Sequence, residues 1–597
     1  MRRSVHLVLA LGVAVPVLAQ DTTRAPRDTG RVVRDSASVS RDSATGALRN
    51  SPVACVGQVI RRVDVHAGYP IAAGELERFP MLLRLQNKVH TPTRPEVVLP
   101  FLLLREGDRC EERRRAESER LLRTQPYIAQ ARVQAMDAGD GGVILDVSLV
   151  DEFAWTVRVS MQAKSSYLRR VSGGNTNING SGISLVGGFA SGGAYRDEWQ
   201  ATASSFQMNG EPLFTTMTVA RRRMGGEWGV VIGVPFLTDF QRVAWRMSVG
   251  QTDAYLPFAR PDTEPVWLGL RRINADVGIL ARFGTPGSLY LAGFGLSREL
   301  AQSSTQPLLI RGTGVVADTS TAVLGRYGTL DARRIDVILG LRRLRFTRTS
   351  GFEVLEGTED VALGVQAGLV ASRGLPEIGA DERDVFLSGD LYFGRGDAFH
   401  FLRADARVQG RRADVGGRWD GVLWDASVTA YWRVGLARTI VASGIWTGGY
   451  RSTVPFQLTL GDQIGGVRGF VNSQQAGGER LALRIEDRNY LGRVFGVAAV
   501  GFAPFLDVGV MGARDVPYGA SSSPAVALGL SLLGTVPPAS RRLWRLDVTY
   551  RVTGDNRAPL WTIGTTVRDG SRFGFQEPPD LERSRTRAIA PSRYSWP

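Results

Sequence analysis

Long apolar runs are almost absent from this 597-residue chain. The stretch Val5–Val17 is shorter than the roughly 18 apolar residues a membrane-spanning helix needs, and no later segment approaches that length. A helical anchor is thereby excluded. A chain that crosses lipid without one has to do so as a closed β-barrel, because lipid offers no hydrogen-bond partner to an open strand edge. Lysine is equally scarce: Lys88 and Lys164 are the only two, so arginine carries nearly all the base behind the formal charge of +15. Those arginines stand singly along the chain, often beside Asp or Glu, with no concentrated basic face. That spacing argues against nucleic acid as a partner and suits a polar lumen or anionic lipid headgroups.

Chemistry-bearing motifs are missing too. There is no Gly-x-Ser-x-Gly elbow, no Gly-Lys-Ser/Thr phosphate loop and no His-Glu-x-x-His helix, so no enzyme and no cofactor is expected. His6, His66, His90 and His400 are scattered, and none lies near a cysteine pair at ligand spacing, so no metal site is expected either. Cysteine is limited to Cys55 and Cys110. An even count in an exported chain favours a disulfide, which on the chain-entropy account stabilises by about 4 kcal/mol.

What the chain does have is glycine and alternation. Its 70 glycines exceed the usual share of about 7% and, with 12 tryptophans, point to a β-rich protein with tight turns. The N-terminus reads as a secretory signal over residues 1–19: Arg2 and Arg3, the short apolar core, then Val17-Leu18-Ala19 before Gln20. Residues 20–52 are rich in Arg, Asp, Ser and Thr, the composition of a disordered linker.

Residues 53–151 read as a small α/β domain. Val59, Ile60, Val63 and Val65 suggest a first strand, and residues 74–87 and 110–124 have helical character. Strands follow over Ile128–Val133 and through Val143, Leu145, Val147 and Leu149. From residue 153 to 568 apolar and polar residues alternate. Val243, Trp245, Met247 and Val249 interleave with Arg242, Ala244, Arg246 and Ser248, and Trp544, Leu546 and Val548 with Arg545, Asp547 and Thr549. That dyad is the pattern of a transmembrane barrel, apolar outward and polar inward. The expected fold is therefore mainly β, an antiparallel transmembrane β-barrel after one small α/β domain. Residues 569–597 are polar and read first as a disordered periplasmic extension, with occlusion of the lumen as the alternative.

Within the barrel segment three pieces recur in order: Gly465-Gly466-Val467-Arg468-Gly469-Phe470, then Glu486-Asp487-Arg488, then Phe505-Leu506-Asp507-Val508-Gly509. Alternation turns Glu486, Arg488, Phe505, Asp507 and Gly509 toward the lumen, where two carboxylates and an aromatic await the guanidinium of Arg468.

These pieces, with the strand–helix–helix–strand–strand order of residues 53–151 and Leu104-Arg105-Glu106-Gly107-Asp108 before its second helix, resemble the BamA/TamA surface-antigen family. Val467-Arg468-Gly469-Phe470 matches that family's sixth-loop motif, and the N-terminal domain resembles a POTRA domain, a periplasmic module. The resemblance implies sixteen strands and an inward-folded loop latch. It also implies a role in inserting outer-membrane proteins or translocating polypeptides across the outer membrane. Its implied partners are the outer-membrane bilayer, unfolded polypeptide clients and periplasmic accessory proteins. The last clear strand, with Trp561, Ile563 and Gly564, resembles the C-terminal strand by which assembly machinery recognises its clients. A rival from another class is a passive diffusion pore or structural surface antigen on the same scaffold.

Overall fold

The structure, a computed structural model, describes residues 51–586 apart from 163–164, 192–194, 262, 320–321, 415–416, 462–463, 471–472, 474, 554–559 and 570–576. The signal and most of the linker read from the sequence lie outside the described residues.

The N-terminal α/β domain is built around strand Val143–Asp151, whose residues alternate strictly between buried and half-buried. It pairs antiparallel with Ile128–Asp137 and parallel with Val56–Gly68. Helix Glu112–Arg123 carries Glu112 in its first turn and Arg120 and Arg123 in its last, each complementing the helix dipole. Leu121 and Leu122 face the sheet and join Val97, Val98, Phe101, Tyr127, Val133 and Val147 in one core. The helix expected over 74–87 is two pieces, Ala73–Leu76 and Pro80–Val89. Pro80 has no N–H to donate and starts a new helix instead of continuing the old one. Cys55 and Cys110 are disulfide-bonded, with Cα atoms 5.0 Å apart.

From Trp155 to Asp569 the chain forms antiparallel strands that close on themselves, the last meeting the first. The closed sheet includes the hairpin of Leu308–Arg311 and Gly314–Ala317, but Ser288–Ser303 pairs directly with Thr329–Thr349 beneath it. Setting that hairpin aside, twenty strands among the described residues make the wall. The sixteen implied by resemblance is therefore corrected. Several strands before Val243 are short, Ile183–Ala190, Glu198–Ser205 and Phe214–Arg221 having 8 residues each, too few for alternation to stand out.

Alternation sorts the two faces. Phe283, Phe294, Val337, Leu339, Leu391, Trp446 and Leu530 are exposed on the outer wall, an apolar band that suits lipid and not water. Inward positions carry ion pairs, among them Arg246 with Asp276 at 2.6 Å and Arg334 with Asp384 at 2.5 Å.

The α/β domain sits against one end of the barrel through polar contacts. Arg123 Nη2 donates to Asp360 Oδ1 at 2.7 Å, and Arg120 Nη2 donates to the Leu237 carbonyl at 2.9 Å. At the junction, Glu152 accepts from Ser540 Oγ at 2.7 Å and the Arg541 amide at 2.9 Å. Burial pushes the Glu152 carboxyl above its usual range, although Arg541 and Arg542 lie close.

Candidate functional site: a loop and a tail inside the barrel

The connection between the fifteenth barrel strand (Arg438–Tyr450) and the sixteenth (Glu479–Val494) does not stand off into solvent. It turns inward. Leu458–Thr459 pairs with Ala476–Gly477 at its base, and the Val467 amide donates to the Leu460 carbonyl at 2.8 Å. Gly469 takes a φ of +88°, a left-handed conformation that a side chain would resist, and so reverses the chain at the tip. Val467 and Phe470 are both fully buried in a cluster with Leu458, Leu460 and Phe456.

This turn delivers Arg468 to two carboxylates. Its Nε and Nη2 donate to Asp507 Oδ2 at 2.7 Å and Oδ1 at 2.6 Å, a fork-on-fork geometry, and its own amide donates to Oδ2 at 3.1 Å. Nη1 donates to Glu486 Oε1 at 2.8 Å. The guanidinium carbon lies 3.5 Å from the centroid of the Phe505 ring, a cation–π contact on the remaining face. Asp507 is wholly inaccessible and Glu486 nearly so. Arg468, Glu486, Phe505 and Asp507 are thus brought together. Arg488 is joined to them through Glu486, to whose Oε2 its Nε donates at 3.0 Å.

Gly509 serves by having no side chain. A Cβ there would lie 2.4 Å from Val467 Cγ2. Gly509→Ala is expected to push the loop tip outward at a cost of about 1–3 kcal/mol, lowering the temperature at which the folded band is lost on a gel. Gly564→Ala, where a Cβ meets nothing within 4 Å, is the control and should leave that temperature unchanged.

Two participants were not picked out from the sequence. Arg545, on the nineteenth strand (Arg542–Arg551), donates to both Glu486 oxygens at 3.0 and 2.9 Å, and to Ser531 Oγ at 2.7 Å. Arg484 Nη2 donates to the Gly466 carbonyl at 2.5 Å, holding the loop backbone. Their inward alternation was legible; their partners depend on which strands neighbour in the closed sheet.

The C-terminal segment corrects the first of its two readings. Residues 577–586, expected first as part of a disordered periplasmic extension and only alternatively in the lumen, lie inside the lumen with a short helix at Pro579–Glu582. Arg480 Nη1 donates to Asp580 Oδ2 at 2.6 Å, and both side chains are shut off from solvent. Arg585 reaches Asp425 at 3.4 Å and pairs with Glu577, which also meets Arg407 at 3.3 Å. From the far wall, Arg272 donates to the carbonyls of Arg583 at 2.7 Å and Arg585 at 2.8 Å. Arg272 is on the eighth strand (Thr263–Thr285) and Arg480 on the sixteenth, so the segment bridges nearly opposite sides of a twenty-strand ring. Leu581 is buried in the same cluster as Val467 and Phe470, so loop and tail share one core. The segment's three carboxylates and single leucine among arginines were the available signal, and composition alone reads them as solvated.

Of the last-strand residues, Trp561 and Ile563 point outward from strand Trp561–Asp569, which pairs with Arg542–Arg551.

Fold and site together define a class: a closed β-barrel with an apolar outer wall, an N-terminal α/β domain at one end, and a loop and tail packed in its lumen. No protein-family model and no curated protein matches the chain. Among solved structures it is similar to BamA from Haemophilus ducreyi lacking POTRA domains 1–3, at 10% identity and a TM-score of 0.36 over 85% of this chain and 84% of that one. It is also similar to CdiB from Escherichia coli, at 11% identity and a TM-score of 0.40 over 86% of this chain and 76% of that one. CdiB from Acinetobacter baumannii gives 10% identity and a TM-score of 0.39 over 86% of this chain and 74% of that one. At such distances the architecture rests on this chain's own strand pairing.

Proposed function

We propose that the protein is an outer-membrane barrel of the BamA/TamA type that inserts outer-membrane proteins or translocates polypeptides, with its α/β domain acting as a periplasmic POTRA-like module. The observation that carries this reading is the inward loop, Val467-Arg468-Gly469-Phe470, with Arg468 forked onto Asp507 and held by Glu486. In this reading the loop is a latch that ties the sixteenth to nineteenth strands together across the lumen. It leaves the seam between last and first strands as the place where the sheet opens.

The α/β domain has a suitable edge for clients. Beyond Val59, the outer edge of strand Val56–Gly68 has no strand partner among the described residues, since Arg109–Glu111 pairs only with Val56 and Val59. An extended polypeptide can add there by main-chain hydrogen bonds. No cofactor is needed for such work. A passive pore on the same scaffold is disfavoured by the tail segment that bridges the lumen.

Depletion in the native cell, followed by quantitative proteomics of the outer-membrane fraction, tests the proposal. Specific barrel or secreted proteins are expected to fall, and re-expression should restore them. Unchanged levels of every other outer-membrane and secreted protein would sink it.

A further inference from the structure

A second site lies where helix Glu112–Arg123 meets the ends of strands Ser288–Ser303, Thr329–Thr349, Glu359–Gly374 and Asp384–Gly396. There the structure holds a cavity of about 930 Å³ lined by seven arginines and four carboxylates. The carboxylates are already engaged. Glu117 binds Arg120, Asp360 binds Arg123 and Asp239 binds Arg342. Asp397 accepts from the Phe399 and His400 amides. Four arginines, Arg113, Arg343, Arg345 and Arg395, have no carboxylate partner among the described residues, and Arg343, Arg345 and Arg395 are exposed. Several cations converging on one hollow, where Asp397 is the one lining carboxylate not paired with an arginine, repel one another unless a further anion joins them.

The position says which anion. Arg343 Nη2 contacts the hydroxyl of Tyr290 at 3.4 Å, and the Tyr290 ring is exposed on the outer wall. Tyrosine with its ring against the apolar wall and its hydroxyl on an arginine marks the level of the headgroups. Above it on the same wall stand Phe294, Leu339 and Leu391, all exposed. A ligand with a charged head in the cavity would therefore lay its tail along this apolar surface. Guanidinium forks match phosphate oxygens, and a cavity of this volume suits a headgroup.

We infer that the junction between the α/β domain and the barrel is a binding site for the phosphate headgroup of an anionic phospholipid in the leaflet on that side. The inference rests on the barrel spanning a membrane, as proposed above. Bound there, the lipid would touch helix Glu112–Arg123 through Arg113 and the barrel through Arg343, Arg345 and Arg395. It would fix the orientation of the domain against the wall.

The test uses the full chain reconstituted into bilayers of equal parts phosphatidylglycerol and phosphatidylcholine, then extracted in mild detergent for native mass spectrometry of retained lipid. Wild-type protein is expected to hold phosphatidylglycerol over phosphatidylcholine by about tenfold or more. The triple variant Arg343→Gln, Arg345→Gln, Arg395→Gln should return the ratio to that of the bilayer while the barrel keeps its heat-resistant folded band. Equal retention of both lipids by wild type, or undiminished enrichment in the triple variant, overturns the site. Inorganic phosphate is the second arm: if it abolishes the enrichment at constant ionic strength where chloride does not, the ligand is a soluble phosphate and the lipid assignment is overturned. A chain that fails to enter the bilayer at all removes the membrane reading itself, an outcome distinct from insertion without lipid preference.

Discussion

Arg468→Ala is expected to lower barrel stability by about 3–5 kcal/mol, the range for breaking a buried ion pair by removing one partner. The loss falls unevenly on the two carboxylates. Glu486 keeps Arg545 at 2.9 Å and Arg488 at 3.0 Å. Among the described residues Asp507 keeps only Arg484, at 3.9 Å, and it is wholly buried. Most of the cost therefore comes from stranding Asp507, and the double variant Arg468→Leu with Asp507→Leu should recover part of it, because the buried carboxylate is gone; the recovery is partial because Arg484 then keeps the Gly466 carbonyl without that carboxylate. Glu486→Gln should show weaker coupling to Arg468, since its other arginines continue to hold it. The measurement is the temperature at which the compact band converts to the unfolded band on a gel, read for the singles and the double. Additive losses for the Arg468 and Asp507 changes would show that the pair is not coupled. Restoration of client levels in depleted cells by Arg468→Ala at the wild-type level would remove the latch from the mechanism.

Removing the chain from Glu577 onward is expected to open the lumen. The segment bridges strands on nearly opposite walls, and its Asp580 neutralises an Arg480 that has no access to water. Without it, Arg480 loses the Asp580 carboxylate, so water is drawn in to help solvate it. In planar bilayers the truncated protein should show a larger and steadier conductance than the full chain. Asp580→Asn should give an intermediate result, since the helix and Leu581 remain. Loop and tail share the cluster around Leu581, Val467 and Phe470, so truncation should also lower the temperature of the band conversion. Identical conductance for the full and truncated chains would show that the tail does not limit passage.

The two predictions separate because the groups involved differ. Arg468 joins strands of one sector, so its loss is read chiefly as stability. The tail joins opposite walls, so its loss is read chiefly as permeability.

Much of this protein was written in strand alternation. A period of two has only two faces, so once a strand is recognised each of its side chains is assigned inward or outward with no further information. That is why Glu486, Phe505 and Asp507 were placed in the lumen from sequence, and why Gly465, Gly466 and Gly469 marked a loop that could fold back between them. The disulfide of Cys55 with Cys110 was favoured by the cysteine count in an exported chain, and the helix of residues 112–123 by its charge order. Other features needed the closed sheet. The number of strands is twenty and not the sixteen implied by resemblance, and alternation could not supply the count because strands of eight residues carry too few alternations to be told from loops. Arg545 could be placed inward but not beside Glu486, because sequence spacing does not say which inward residues of non-adjacent strands meet across a curved wall. The tail at residues 577–586 was furthest from reach. Its charges look solvated in isolation and become buried only because the wall supplies Arg272, Arg407, Asp425 and Arg480 at matching heights. Local periodicity thus determined which face each residue takes, while ring closure decided which residues meet, because long-range ion pairs depend on strand order and curvature that no local pattern encodes.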